Sequence, residues 1–182
     1  MATDSFSQYL KESSRYPLLS KSQEIMLARQ VQTWLHDPDA TARQKKSGQR
    51  AYEKLIKCNL RLVVSVAKRF GGRMKRSEML DLIQEGNCGL AHGIKKFDPE
   101  RGYALSTYVY WWIRQSVSRY LSCSDRVIRL PSHAVEVLAK VRAWSPEFAE
   151  IHGRMPTVEE CAEHCKTSVE KMQFYMDNAN DS

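Results

Sequence analysis

The sequence predicts an all-α chain, and three observations carry that prediction. Ser/Thr-x-x-Glu/Gln capping boxes stand at Ser20–Gln23, Thr157–Glu160 and Thr167–Glu170, each a signature of a helix start. Apolar residues recur at three- and four-residue spacing along most of the chain. No alternating run of β-branched residues is long enough for a sheet, and there is no internal repeat. A chain of 182 residues with 42% apolar content can form one ordinary domain, or a main domain with a small satellite.

From the Ser20 box, Ile25, Ala28, Val31 and Leu35 continue the first predicted helix to about Leu35, and Asp37-Pro-Asp39 ends it. The polar, basic run Thr41 to Arg50 reads as a loop or as a solvated helix start. Tyr52, Leu55, Ile56, Leu62, Val63, Val66 and Phe70 then form a long amphipathic pattern stopped by Gly71-Gly72. Ser77 is the expected N-cap of the next helix, carried by Leu80, Leu82, Ile83, Leu90 and Ile94 and weakened by Gly86, Gly89 and Gly93. Phe97 to Gly102 reads as a turn, with Ser106 capping the helix after it.

Arg129-Leu-Pro131 marks a break, and Ser132 opens a helix through Val135, Leu138 and Val141. Pro146 and the His152–Pro156 break bracket a short further helix, because proline cannot donate to the helical ladder. The last two capping boxes start short helices whose spacing resembles a helix-turn-helix, although Ser168 to Met176 is poor in basic residues for a recognition helix. Three-helix packing is the simpler account of that segment. A boundary near Ser122 to Ser132 divides a larger helical domain from a smaller one.

The 28 Lys+Arg against 21 Asp+Glu give a net charge of +7 and a pI near 9.2, which favours a polyanionic partner. No apolar run approaches a membrane span, and the polar start Met1-Ala-Thr-Asp-Ser-Phe6 lacks the regions of a secretory signal, so a cytosolic protein is expected. Cys58, Cys88, Cys123, Cys161 and Cys165 are odd in number and mostly isolated, so reduced thiols are expected.

The stretch Leu105 to Tyr120 places five aromatics on one helix. At about 100° per residue, Val109, Ile113, Val117 and Tyr120 gather on a core-facing side, while Tyr108, Trp111, Gln115, Ser118 and Arg119 gather on the other. Those outward rings either pack on a neighbouring segment or, with Lys95, Lys96, Arg101, Arg114 and Arg119 nearby, stack on nucleic-acid bases. Asp81, Gln84 and Glu85 share another face, readable as a solvated stripe, a carboxylate pair or a docking surface for a basic partner. Cys161, His164 and Cys165 sit one turn apart but lack the fourth ligand and the paired spacing of a zinc site, so no metal is assigned. No phosphate-binding loop, nucleophile elbow or dinucleotide fingerprint occurs, and no enzyme activity is predicted.

Together, Asp81-Leu-Ile-Gln-Glu-Gly-Asn-Cys-Gly-Leu90, Phe97-Asp-Pro-Glu-Arg-Gly-Tyr103, Ser106-Thr-Tyr108 and Trp111-Trp-Ile-Arg-Gln115 resemble region 2 of the bacterial sigma-70 family. Asn59 to Lys68 resembles the first part of that region, Arg126 to Glu136 resembles the entrance of region 3, and Asp4 to Leu35 is more loosely similar to region 1.2. The resemblance implies regions 1.2 and 2 over residues 1–124 and a small three-helix region 3 over residues 125–182. It implies a subunit that binds core RNA polymerase and recognises and melts the promoter minus-ten element to direct transcription initiation, with no cofactor. Asp81, Gln84, Glu85 and Asn87 correspond to the face that docks on the clamp helices of the largest polymerase subunits.

Tyr108, Trp111, Trp112, Gln115, Ser118 and Arg119 correspond to the minus-ten reader of the non-template strand, and Phe97, Arg101, Tyr103, Thr107 and Tyr108 to the pocket for a flipped adenine. Asn59 matches a residue near the final thymine of the element, and Arg129, His133 and Glu136 match the extended minus-ten reader. Tyr9, Leu10 and Lys11 fall where region 1.2 meets the discriminator. The resemblance further implies an anti-sigma factor or other regulator as partner, and a cytoplasmic, nucleoid-associated location.

Leu105 stands where an aromatic is usual, Ser118 replaces a usual threonine, and Tyr110 adds a ring. Gly71 to Leu80 is slightly longer and more basic than the housekeeping pattern, which fits an alternative, housekeeping-like factor. The sequence ends at Ser182, soon after what resembles region 3.1, and starts without an acidic region 1.1, so region 4 and self-inhibition by region 1.1 are not expected.

Overall fold

A computed structural model describes residues 5–73, 78–123 and 130–180, and these form eight α-helices and two short 3-10 turns with no strand. Contacts divide the chain into two units, Met1–Tyr120 and Leu121–Ser182. No helix among the described residues is long and apolar enough to cross a membrane.

Most helix starts in the first unit follow from local capping chemistry. In α2 (Lys21–His36) the Ser20 hydroxyl accepts the Gln23 N–H, and the Gln23 side chain accepts the Ser20 N–H. The same reciprocal pair, Thr41 with Gln44, starts α3 (Ala42–Lys68). The basic run from Thr41 is therefore the solvated start of one 27-residue helix rather than a loop. Gly48 makes the close crossing with α2 possible, lying directly against Trp34. A helix before the Ser20 box, α1 (Ser5–Ser14), was not foreseen; it packs on α3 and on α4 (Met79–Lys96).

The start of α4 lies at Glu78, whose N–H donates to the Asp81 carboxylate at 3.1 Å; the expected cap Ser77 lies outside the described residues. Helix α5 (Leu105–Cys123) corrects a second cap. Ser106 falls inside its first turn, and the Ala104 carbonyl accepts the Thr107 and Tyr108 N–H groups. The Leu105 N–H is taken by the Glu24 carboxylate of α2, so a neighbouring helix supplies the cap. Burial pushes the Glu24 carboxyl above its usual value, and the Leu105 hydrogen bond opposes that shift. Val31, Leu55, Val63, Leu82, Ile83, Leu90, Ile94, Leu105 and Ile113 are fully buried, joining α2 to α5 around one core.

The second unit is a three-helix assembly of α6 (Ser132–His152), α7 (Val158–His164) and α8 (Val169–Asn180). Its core holds Leu130, Ala134, Leu138 and Tyr175 in one cluster and Val141, Cys161, Ala162 and Met172 in another. Pro146 does not end α6 as expected; the helix runs through it. The Ser145 hydroxyl donates to the Val141 carbonyl at 2.7 Å, and tilted or stacked rings of Trp144, Phe148 and His152 bridge the site. Trp144 also stacks on His164 of α7, so packing against a second helix accompanies the loss of one N–H donor.

Thr157 and Glu160 form the expected capping box of α7. Its C-terminus is closed by Lys166 at a left-handed φ of 53°, with N–H bonds from Lys166 to Glu163 and from Thr167 to Ala162. These are the two bonds of a Schellman motif. Thr167 is thus committed to ending α7, and α8 begins one residue later than expected, with the Met172 N–H on the Ser168 carbonyl. Cys161 is fully buried and His164 stacks on Trp144 at 4.2 Å; among the described residues no group of three or more His, Cys, Asp or Glu is placed to hold a metal.

Candidate nucleic-acid interface

The surface around α5 begins with three glycines on α4. Gly86, Gly89 and Gly93 follow one another at helical spacing, so α4 presents a seam without side chains. A Cβ at Gly89 would stand 2.6 Å from the Trp112 carbonyl oxygen and 3.0 Å from the Ile113 Cα, and one at Gly93 would stand 2.8 Å from the Trp112 ring. Gly89 lets the backbone of α5 lie directly on α4, Gly93 makes room for the Trp112 ring, and Gly86 lies closest to Val63 of α3. They are needed for these contacts, although each lowers helix propensity.

The seam fixes Trp112. Its half-buried ring lies against Gly93, meets His92 edge-on at 4.7 Å, and has the Lys96 ammonium 4.8 Å from its centroid. Tyr108, one turn earlier and also half-buried, contacts Trp112 at 6.4 Å and Phe97 at 5.7 Å. Phe97 itself is only 3% exposed, and its carbonyl accepts Gln32 Nε2 at 2.5 Å. It is the floor beneath Tyr108, with almost no free ring surface of its own.

The rings farther out are different. Trp111 is 61% exposed, beside Tyr110 and with the Arg114 guanidinium 5.4 Å from its centroid. Tyr103, in the loop before α5, is 66% exposed. Thr107, Gln115 and Arg119 are exposed and Ser118 is half-buried. Arg101 is exposed on the 3-10 turn Pro99–Arg101, with Nε 3.2 Å from the Asp98 carboxylate. Gln115 and Arg119 line a groove of about 260 Å³ with Trp112, His92 and Cys88. Stacking surfaces, cations and amide donors thus share one side of α5, a combination suited to bases and phosphates.

Asn59 stands apart from this surface. It lies on α3, half-buried, and its Nδ2 donates back to the Leu55 carbonyl at 2.8 Å. Of the acidic and amide stripe, Asp81 and Gln84 are exposed and Glu85 is half-buried. Asn87 joins the stripe to α1: its Nδ2 donates to the Tyr9 hydroxyl at 3.2 Å and to Gln84 Oε1 at 3.1 Å. Burial raises the Tyr9 phenol above its usual value, and the bond to Asn87 opposes that shift. In the second unit, His133 and Glu136 are exposed one turn apart on α6, with His133 Nε2 3.0 Å from the Tyr175 hydroxyl. Arg129 lies outside the described residues.

Three features were missed from sequence. A cleft of about 700 Å³ between α2 and the Phe97 turn is lined by Arg29, Gln32, His36, Lys95 and Lys96 among others. Arg29 spans its edge in a bidentate pair with Glu100, at 2.8 and 3.2 Å. The third is the glycine seam, whose signal was present in the spacing of positions 86, 89 and 93.

Comparison with known proteins agrees with this layout. Residues 55–127 match sigma-70 region 2, and residues 4–37 match sigma-70 factor region 1.2. The chain is 41% identical to the RNA polymerase sigma factor SigA4 of Synechococcus elongatus over 182 residues, covering 96% of this chain and 58% of that protein. It is 40% identical over 195 residues to SigA2 of the same organism, covering 92% and 60%, and 40% identical over 178 residues to SigA of a Bacillus species, covering 98% and 43%. The chain spans about three fifths or less of the length of these relatives. Two regions of one family are matched in order over more than half of the chain, and sigma factors align along nearly all of it: the chain belongs to the sigma-70 family.

Proposed function

We propose that the chain is the core-binding and promoter-recognition part of a sigma factor, acting in transcription initiation. The observation that carries this reading is the graded aromatic face of α5: an exposed Trp111 beside Trp112 and Tyr108, which are held by the glycine seam and by Phe97. Stacking of one base contributes about 1–3 kcal/mol, and opening a base from a duplex costs a few kcal/mol, so two or three captured bases offset local melting.

In this reading Trp111 and Tyr108 take bases of the non-template minus-ten strand, and Gln115, Arg119, Arg101 and Thr107 supply polar contacts. Trp112 braces the face from its seat on α4. Asp81, Gln84 and Glu85 dock on core polymerase, and Asn87 positions Gln84 through its bond to that side chain. Residues 125–182 form the unit for the extended minus-ten contact, through Arg129, His133 and Glu136. The polymerase carries the chemistry, and the chain supplies recognition.

The test is capture of the chain by core polymerase, followed by binding of a fluorescent non-template minus-ten strand with a scrambled strand as control. Preference for the minus-ten strand only in the presence of core polymerase is expected. Tight, sequence-specific duplex binding by the chain alone would instead indicate a freestanding regulator.

A further inference from the structure

We propose that the first half of α3 is a binding surface for the phosphate backbone of duplex DNA, separate from the strand-capturing face of α5. Arg43, Lys46, Arg50, Lys54 and Lys57 follow one another at intervals of three, four, four and three residues, which sets them in one row along the helix. All five are exposed. At 1.5 Å per residue the row is about 21 Å long, the reach of roughly six consecutive phosphates of one DNA strand at 3.4 Å of axis each.

The charge in this row is almost uncompensated. Residues 42–57 contain six cations and one anion, Glu53, so most of the chain's net +7 sits on 16 residues. Among the described residues Glu53 pairs with Lys57, at 3.7 Å. Lys46 with Arg50 and Arg50 with Lys54 are like charges four residues apart, an arrangement that opposes helix formation by about 0.2–0.5 kcal/mol per pair. A row that folds against its own repulsion is relieved when a polyanion lies along it.

Nucleic acid suits this row better than an acidic protein. The exposed neighbours Gln44 and Gln49 carry amide groups suited to donate to phosphate oxygens, and none of the exposed large hydrophobic residues lies on α3. Protein interfaces depend on buried aromatic or aliphatic anchors and are poor in lysine, whereas DNA interfaces are polar and strongly positive.

The proposal does not depend on strand capture by α5, and its test keeps the two apart. Binding of the 182-residue chain to a fluorescent 20-base-pair duplex of random sequence is measured by anisotropy from 50 to 200 mM NaCl. The triple variant Arg43→Gln, Lys46→Gln, Arg50→Gln keeps helix formers in place and is checked for native helix content by circular dichroism. The comparison variant Lys140→Gln, Arg142→Gln, Lys171→Gln removes the same charge from exposed positions of the second unit. The α3 variant is expected to lose at least about tenfold in duplex affinity at 0.1 M salt and to flatten the log–log salt slope by about 2.7, at 0.9 per phosphate contact. The comparison variant is expected to stay within about twofold of the parent. Equal losses in the two triple variants would reduce the effect to net charge and overturn the proposal. Unchanged duplex binding with weakened core-polymerase binding would assign the row to an acidic protein surface and overturn it as well.

Discussion

Replacing Gly89 by alanine puts one carbon where α4 and α5 touch. The new Cβ would lie 2.6 Å from the Trp112 carbonyl oxygen, 2.9 Å from the Ser116 Cβ and 3.0 Å from the Ile113 Cα. Two of these neighbours are backbone and the third is the first side-chain atom, so none can rotate aside. Ordinary contact, about 3.5 Å, requires α5 to retreat by roughly 0.5–0.9 Å. Overpacking of this kind costs about 1–3 kcal/mol, and with an unyielding backbone the upper end applies. Alanine recovers about 0.8–1 kcal/mol of helix propensity, leaving a net loss of about 2 kcal/mol. In a chain of this size that lowers the midpoint of thermal unfolding, followed by circular dichroism, by about 4–8 °C. Gly72→Ala, at an exposed position with no neighbour within 4 Å of the added carbon, is expected to stay within about 0.5 kcal/mol of the parent. A Gly89→Ala protein as stable as the parent, or more stable, would refute the close-approach account of the seam.

Two further predictions concern the second unit. Lys166 holds a left-handed conformation that glycine adopts without strain, so Lys166→Gly is expected to stabilise by about 0.5 kcal/mol and Lys166→Val to destabilise, read from urea midpoints. Glu160 is held down to about 2, first by hydrogen bonds from the Arg154 guanidinium and then by the Thr157 N–H. A carboxyl whose folded value is depressed stabilises the fold above its ordinary range, and that contribution is lost as pH falls from about 4.5 toward 2. The urea midpoint is therefore expected to fall across that window in the parent, and less steeply in Glu160→Gln. High salt reduces the difference, because the Arg154–Glu160 pair faces solvent.

Where helix-forming chemistry is local, the sequence was legible. The Ser20 and Thr157 caps need only a hydroxyl and a side-chain acceptor three residues on, and both appear where expected. The core stripe of α5 was readable for the same reason: Val109, Ile113 and Val117 are all fully buried. What escaped depends on partners distant in sequence. Ser106 looked like a cap because nothing nearby announces that Glu24 takes the Leu105 N–H from another helix. Pro146 looked like a break because Trp144, beside it on α6, stacks on His164 of α7, 20 positions farther along the chain. The α4 glycines looked like defects until α5 was laid against them.

The candidate site divides along the same line. The outward position of Trp111 followed from periodicity, and so did the exposure of Gln115 and Arg119. Burial of Phe97 beneath Tyr108, and the bond of Asn87 to Tyr9, are set by contacts across 11 and 78 positions of chain that no local pattern encodes.

The most direct measurement of the central claim compares the parent with Trp111→Ala in two titrations: core polymerase alone, and the minus-ten non-template strand added to the preformed complex. Trp111 is 61% exposed and lies outside the stripe assigned to docking, so core-polymerase affinity is expected to stay within about twofold of the parent. Loss of one stacked base, about 1–3 kcal/mol, is expected to weaken strand binding by about 5- to 150-fold. Unchanged strand affinity, or equal loss in both titrations, would contradict the assignment of this face to strand capture.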